Sequence, residues 1–294
     1  VKTKPGPLLS CMTTLKLGGR AVAEVVIEHE RDLDVLNETL RALGGEPLVL
    51  GEGSNILAAD HDLSVVLVRV VMFDRPRAQP VSESGSVLVR APAGVRLPRL
   101  LGWLRTRGLS GMEELTGIPG SLGGAVAMNA GSYGRDMGQV LKRVLVWTPA
   151  EGVLWREFGQ WQTGYRSFDS GVLGRPVLIL AAELRLRHDV PEAIQVRMRQ
   201  CYARKKNTQP VTMASAGCVF KNPSPDQPAG RLLDQAGLRG MRRGSMAFSA
   251  RHANFLVNLG SGRSEDAFEL LELARARVRD RFGLRLETEV MVVA

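Results

Sequence analysis

One stretch limits this chain more than any other. It runs from Thr116 to Gly134, TGIPGSLGGAVAMNAGSYG, with six glycines in 19 residues. Glycine loses the most conformational freedom on folding, so such a run weakens any helix or strand. It also lets backbone approach a ligand closely and adopt positive φ, and successive N–H groups in such turns form anion-binding concavities. A shorter segment of the same character, Gly51-Glu52-Gly53-Ser54-Asn55, follows the apolar run PLVL. Both carry small hydroxyl or amide groups: Ser54, Asn55, Ser121, Asn129 and Ser132. Neither is a phosphate P-loop, because G-K-[ST] is absent, and GSLGGA matches the dinucleotide fingerprint only loosely. Ordinary turns and close packing are the alternative for either segment alone. Two in one chain favour a phosphate or dinucleotide site.

The flanking sequence mixes strands and helices. AEVVIE (23–28) predicts a strand; Leu33, Leu36, Leu40 and Leu43 then fall at helical spacing until Gly44-Gly45. VVLVRVV, VLVRA, VLKRVLVW and VLILAAELRL read as strands, and Leu97, Leu100, Leu101 and Leu104 share one face of a helix. Pro191 opens a helix with Ile194, Met198, Cys201 and Tyr202 on one side. Arg197, Arg199, Arg204, Lys205 and Lys206 lie on its other faces, as a solvated basic surface. Ser264 is the N-cap candidate of a final helix striped by Leu271, Ala274, Val278 and Phe282. Glu287 and Glu289 follow in a predicted strand, on one side of it by the two-residue period. Without regular βαβα alternation, the fold class is α+β rather than a doubly wound sheet. A change of character near residue 188, and another near 60, predict three segments: 1–60, 61–188 and 189–294.

Composition narrows the function. A chain of 294 residues buries enough surface to need no disulfide or metal staple. The net charge of +9 suits nucleic acid, anionic membrane or phosphorylated small molecules. Aromatic content of 5% leaves few stacking platforms, and no zinc-finger, RNP or basic-zipper pattern is present. No membrane span or secretory signal is expected. Cys11, Cys201 and Cys218, and four histidines, lack metal-ligand spacing, so no metal is expected, and reduced thiols suit a cytoplasmic protein.

A further set of segments, in order, carries a family resemblance: TLKLGGRA, VLGEGSNIL, GIPGSLGGAVAMNAGSYG, GYR (164–166), GCVFKNP, AGRLLDQAGLRG, HANFLVN and LETEV. They span residues 14 to 290, and the chain resembles the UDP-N-acetylenolpyruvoylglucosamine reductase family. The resemblance implies a vanillyl-alcohol-oxidase-type FAD-binding fold of two subdomains plus a C-terminal α+β substrate domain. It implies non-covalent FAD, reduction by NADPH, and a UDP-sugar substrate whose enolpyruvyl double bond receives hydride. Another FAD oxidoreductase of the same fold is the rival, against which the C-terminal motifs argue.

By resemblance, FAD contacts fall at Gly51, Glu52, Gly53, Ser54, Asn55, Gly117, Gly120, Ser121, Gly123, Gly124, Ala125, Asn129, Gly131 and Tyr133. Arg166 matches the arginine that holds the substrate carboxylate, Cys218 the proton donor, and Glu289 the assisting glutamate. Asn222 matches a substrate contact, with Lys221, Arg231 and Gln235 as neighbours. Outside the resemblance, these would read as a solvated arginine, a buried small thiol and solvent-facing acids. Two departures stand out. Cys218 replaces a serine common in the family, and Ser167 follows Arg166 at once. Arg166 and Cys218 are only 52 positions apart, which implies the subtype without an additional tyrosine loop.

Overall fold

Apolar alternation and glycine punctuation place most strands where the sequence predicts them. A computed structural model describes residues 1–72, 75–80 and 85–294. The predicted runs lie in the strands Glu46–Val49, Leu63–Val70, Ser86–Pro92, Leu141–Thr148 and Leu178–His188. The chain packs as two compact units, neither continuous in sequence. Val1–Pro5, Val22–Glu52 and Ser64–Arg204 form the first; Gly6–Ala21, Gly53–Leu63 and Lys205–Ala294 form the second. The break expected near residue 60 thus falls inside a segment of the second unit. The break expected near 188 precedes a helix, Pro191–Thr208, that packs through Arg204 in the first. Apolar burial is indifferent to chain order: Leu15, Leu17 and Leu57 join Phe220, Phe248 and Leu271 in one buried cluster.

The first unit holds two larger sheets. One has the order Lys2–Pro5, Ala21–Ile27, Leu63–Val70, Glu46–Val49. The other is antiparallel and runs Gly152–Glu157, Leu141–Thr148, Leu178–His188, Ser86–Pro92, Arg77–Pro80. Its central strand, Leu178–His188, covers two cores. Ala182, Leu184 and Leu186 pack with Leu97, Leu100 and Leu104 of the helix Leu97–Thr106. Leu178 and Leu180 pack instead with Leu36, Leu40 and Val66. All five are even-numbered, so a regular strand would put them on one face. A bulge resolves this: Leu145 pairs with Ala181 but Val146 pairs with Ile179, leaving Leu180 as the extra residue that reverses the alternation.

In the second unit an antiparallel sheet runs Ala214–Cys218, Phe255–Asn258, Met246–Phe248, Arg242–Arg243. The helices Ala229–Gln235 and Ser264–Phe282 bury Leu232, Leu233, Leu271, Ala274 and Val278 with it. Met291–Val293 pairs in parallel with Ile56–Ala58.

Three expectations change. Ser264 is the first residue of its helix rather than the cap. Its N–H donates to Asp60 Oδ2 at 2.6 Å and its hydroxyl accepts the Asp60 N–H at 2.9 Å, so a distant carboxylate satisfies the helix end. Glu287 and Glu289 lie outside any strand, and burial separates them: Glu287 is exposed, Glu289 half-buried. The basic helix is not uniformly solvated. Arg197 is ion-paired to Glu113 at 2.7 Å and to Asp189 at 2.5 Å, and Lys205 is 2% exposed. Among the described residues no helix is long and apolar enough to cross a membrane.

Candidate active site

The first glycine loop follows the strand Glu46–Val49. A β-carbon on Gly51 would stand 2.6 Å from Ser121 Oγ, so a larger residue would push that hydroxyl aside. Glu52 pairs with Arg96 at 3.0 Å. Gly53 has φ +62°, and a β-carbon there would meet the carbonyl oxygen of Met12. Ser54 is half-buried beside it. Asn55 donates from Nδ2 to Glu289 O at 3.1 Å and accepts the Met291 N–H on its carbonyl at 3.0 Å.

The second glycine segment divides its glycines between two tasks. Gly123 and Gly131 are packing positions. A β-carbon on Gly123 would lie 2.8 Å from the Ala93 methyl, and one on Gly131 would lie 2.8 Å from Asp136 Cβ. Gly117, at φ +86°, and Gly124 are exposed. A β-carbon on Gly124 would meet only Ser121 Oγ, at 3.4 Å. Ser121 caps the short helix Leu122–Ala127 by accepting the Gly124 N–H at 3.2 Å. Gly120, at φ +116°, precedes it, and Ala125 is buried within it. Tyr133, at φ +52°, presents its ring to the Arg204 guanidinium at 4.2 Å. Backbone left bare at Gly51, Gly117 and Gly124 fits the close approach that FAD requires. Asn129 is 5% exposed, with its carboxamide turned to backbone: Oδ1 accepts the Gly138 N–H and Nδ2 donates to Gly164 O, both at 2.9 Å.

Arg166 occupies a hairpin turn. Gln162–Gly164 pairs with Ser167–Asp169, Gly164 opposite Ser167, so Tyr165 and Arg166 form the two-residue connection. Arg166 has φ 56°. For a residue with a β-carbon this left-handed conformation costs about 1–2 kcal/mol. Its Nη1 donates to Gly131 O at 3.1 Å, and its guanidinium lies 5.3 Å from the Tyr165 ring centroid. Trp161, just before the hairpin in sequence, contacts the rings of Phe158 and Phe168 with centroids 5.5 and 6.0 Å apart.

Cys218 ends the strand Ala214–Cys218 and is half-buried. The next residue, Val219, accepts the Glu289 N–H on its carbonyl at 2.7 Å, and Lys221 N–H donates to Glu287 O at 2.9 Å. This pairing brings the backbone of Glu289 beside that of Cys218, 71 positions apart in sequence. Among the substrate candidates, Asn222 Oδ1 accepts the Ala229 N–H at 3.0 Å and so braces a helix start. Lys221 reaches Glu287 at 3.7 Å, and the Arg231 guanidinium bonds to Asp226 O. Gln235 is exposed on the helix Ala229–Gln235.

One supporting residue has no expected role from sequence. Asn254, 2% exposed, takes the Phe220 N–H on Oδ1 at 3.0 Å and donates to Phe220 O at 2.8 Å, while its own carbonyl accepts the Val219 N–H at 2.8 Å. It thereby grips the backbone just after Cys218. Its place in HANFLVN was the available signal. His252 packs in the same turn: its Nδ1 accepts the Asn254 N–H at 3.3 Å, and its ring meets Phe255 edge-on. Burial, helped by the Arg239 charge, holds it below the usual histidine range.

Residues 209–293 match the family described as UDP-N-acetylenolpyruvoylglucosamine reductase, C-terminal domain, and residues 22–156 match the FAD binding domain family. A UDP-N-acetylenolpyruvoylglucosamine reductase of Nitratidesulfovibrio vulgaris is 51% identical over 294 residues, covering 100% of this chain and 99% of its own. One from Oleidesulfovibrio alaskensis is 49% identical, covering 98% and 96%. The crystal structure of the Thermus caldophilus enzyme superposes with a TM-score of 0.83 at 33% identity, over 100% of this chain and 99% of that one. With identity at this level across its whole length, the chain belongs to the UDP-N-acetylenolpyruvoylglucosamine reductase family.

Proposed function

We propose that this enzyme reduces the enolpyruvyl ether of UDP-N-acetylglucosamine to UDP-N-acetylmuramate, with NADPH as the electron source. Bound FAD supplies hydride to the carbon distal to the substrate carboxylate. The chain's own residues manage the charge and the proton. Arg166 binds the carboxylate in two-point fashion and faces the enolate charge that builds beside it. A preorganised cation of this kind is worth about 3–4 kcal/mol at the barrier. The Cys218 thiol delivers its proton to the carbon next to the carboxylate and is reprotonated from solvent. A thiol, with a reference pKa of about 8.5, gives up a proton far more readily than the serine hydroxyl common in the family. Glu289 polarises the substrate and assists that delivery.

The observation that supports this reading is the backbone bond from Glu289 N–H to Val219 O, which brings the backbone of one half-buried residue, Glu289, next to that of another, Cys218. Gly51, Glu52, Gly53, Ser54, Gly117, Gly120, Ser121, Gly124, Ala125 and Tyr133 are the residues we assign to FAD. Asn222, Lys221, Arg231 and Gln235 are assigned to the UDP-sugar. The compartment in this reading is the cytoplasm.

The test is NADPH oxidation by the yellow, flavin-loaded protein with and without UDP-N-acetylglucosamine enolpyruvate. The substrate is expected to stimulate turnover. Cys218→Ser is expected to keep measurable activity, and Cys218→Ala to lose about 10²–10⁴-fold in the second step. Full turnover in the alanine variant removes Cys218 from the mechanism.

A further inference from the structure

One side chain supplies both ends of a link between the Arg166 hairpin and the segment beside it. Asn129 donates to Gly164 O, two residues before Arg166, and accepts from Gly138 N–H, both at 2.9 Å. At 5% exposure its carboxamide is screened from water, so these bonds meet little competition. The backbone at Asn129 is itself left-handed, φ 40°, a conformation asparagine tolerates better than most residues. Gly131, two residues on, supplies the carbonyl that Arg166 Nη1 donates to. Gly138 lies so close to the hairpin that a β-carbon there would stand 2.6 Å from Thr163 Oγ1.

We propose that Asn129 is a positioning residue for Arg166. It ties the base of the hairpin to the segment whose Gly131 carbonyl receives the guanidinium. The link stops the hairpin from drifting along that segment. It also holds the strained turn in the one register where Nη1 reaches Gly131. Asn129 matches the family's FAD contacts by sequence, but the bonds its carboxamide makes here run to protein backbone on either side of it. The role is therefore exerted through Arg166 rather than on the flavin. The proposal rests on the reading that Arg166 holds the substrate carboxylate.

The two predict different half-reactions. Arg166 acts when the enolpyruvyl substrate is reduced and not when NADPH reduces the flavin. Stopped-flow measurement on the flavin-loaded full chain separates these. Asn129→Asp keeps the acceptor for Gly138 N–H but replaces the donor to Gly164 O with a carboxylate oxygen; Asn129→Ala removes both. Both variants are expected to slow flavin reoxidation by substrate about 10–100-fold, the scale of a misplacement near 1 Å. Flavin affinity and the NADPH half-reaction should stay within about twofold of the parent, on the same misplacement argument. Gly138→Ala displaces the same hairpin through Thr163 while leaving the Asn129 side chain itself unaltered, and it should show the same split even where Asn129→Ala folds poorly.

A fall in flavin affinity or in the NADPH half-reaction alongside reoxidation makes Asn129 a cofactor contact and overturns the proposal. Unchanged reoxidation in all three variants overturns it as well. Arg166→Ala distinguishes the two levels. If that variant reoxidises normally, the assigned role of Arg166 fails first. If it is inactive while the Asn129 and Gly138 variants are normal, only the positioning role fails.

Discussion

At the scale of single residues, conformation and chemistry oppose each other at Arg166. Its φ of 56° suits glycine, yet the reaction we propose needs its guanidinium. Strain of this kind persists where the surrounding bonds over-determine it, here the Gly131 contact and the Asn129 link. The strain is separable from the chemistry. Arg166→Ala and Arg166→Gly both delete the guanidinium, but only glycine relieves the backbone. Arg166→Gly is expected to be more stable than Arg166→Ala by about 1 kcal/mol in chemical denaturation, and both to lose substrate reduction. Equal midpoints for the two would show that the turn relaxes in solution. The motif GYR made Arg166 visible in the sequence; its left-handed turn was not. That depends on Gly164 pairing with Ser167, a register set by the strands and not by the tripeptide. Asn254 illustrates the same limit, since it bonds a peptide 34 positions away.

At the scale of elements, one ion pair fastens the helix Pro191–Thr208 to the loop after Leu97–Thr106. Glu113, 5% exposed, accepts from Arg197 Nη2 at 2.7 Å, from Gly111 N–H at 2.8 Å and from Ser110 Oγ at 2.8 Å. Burial alone would raise the Glu113 pKa. The Arg197, Gly111 and Ser110 bonds outweigh it and hold the carboxyl below its ordinary value. A carboxyl lowered in this way contributes stability that is complete above its unfolded pKa, 4.5, and is lost as the pH falls through the folded value. The two partners are not equivalent. Removing Arg197 strands a buried charge, whereas Glu113→Gln leaves a neutral group that still bonds. Arg197→Ala should therefore cost about 2–3 kcal/mol, discounted from the full buried-pair penalty because Arg197 is partly exposed, and Glu113→Gln clearly less. Urea midpoints at neutral pH decide this; a larger loss from Glu113→Gln would contradict the asymmetry. The sequence marked Arg197 as part of a solvated basic face. Its partner lies 84 positions upstream, so no pattern within the helix reveals it.

At the scale of the molecule, the chain's path between its two units matters more than any linear boundary. Gly6–Ala21 and Gly53–Leu63 pack with residues beyond Lys205. The second unit therefore requires N-terminal chain to complete its core. Its stability carries a pH signature through His252. Burial first, and the Arg239 charge second, hold this imidazole below its ordinary 6.5. The unfolded chain then binds a proton that the folded chain refuses, so stability rises with pH through that window. It is complete above about 6.5 and declines as the pH falls toward the folded value. Denaturation between about pH 5 and 8 should show this slope, and His252→Gln should flatten it. An unchanged slope in that variant would place the titration elsewhere. The net charge of +9 belongs at this scale too: FAD, NADPH and a UDP-sugar are all anions, so a basic chain does not require nucleic acid.

The sequence by itself determined the α+β class, the main strands and helices, and the family. Each rests on local information: hydrophobic period, helix punctuation, and motifs a few residues long. It also marked Arg166, Cys218 and Glu289 before any pairing was known. The tertiary structure alone decided which segments share a core, where the Leu180 bulge reverses a strand, and that Asp60 satisfies the helix beginning at Ser264. It alone showed that Asn129 and Asn55 each tie down a distant stretch of backbone. The reason is common to all of these. Hydrogen bonds and apolar contacts act through space, and their partners here lie tens to hundreds of positions apart, where no periodicity records them.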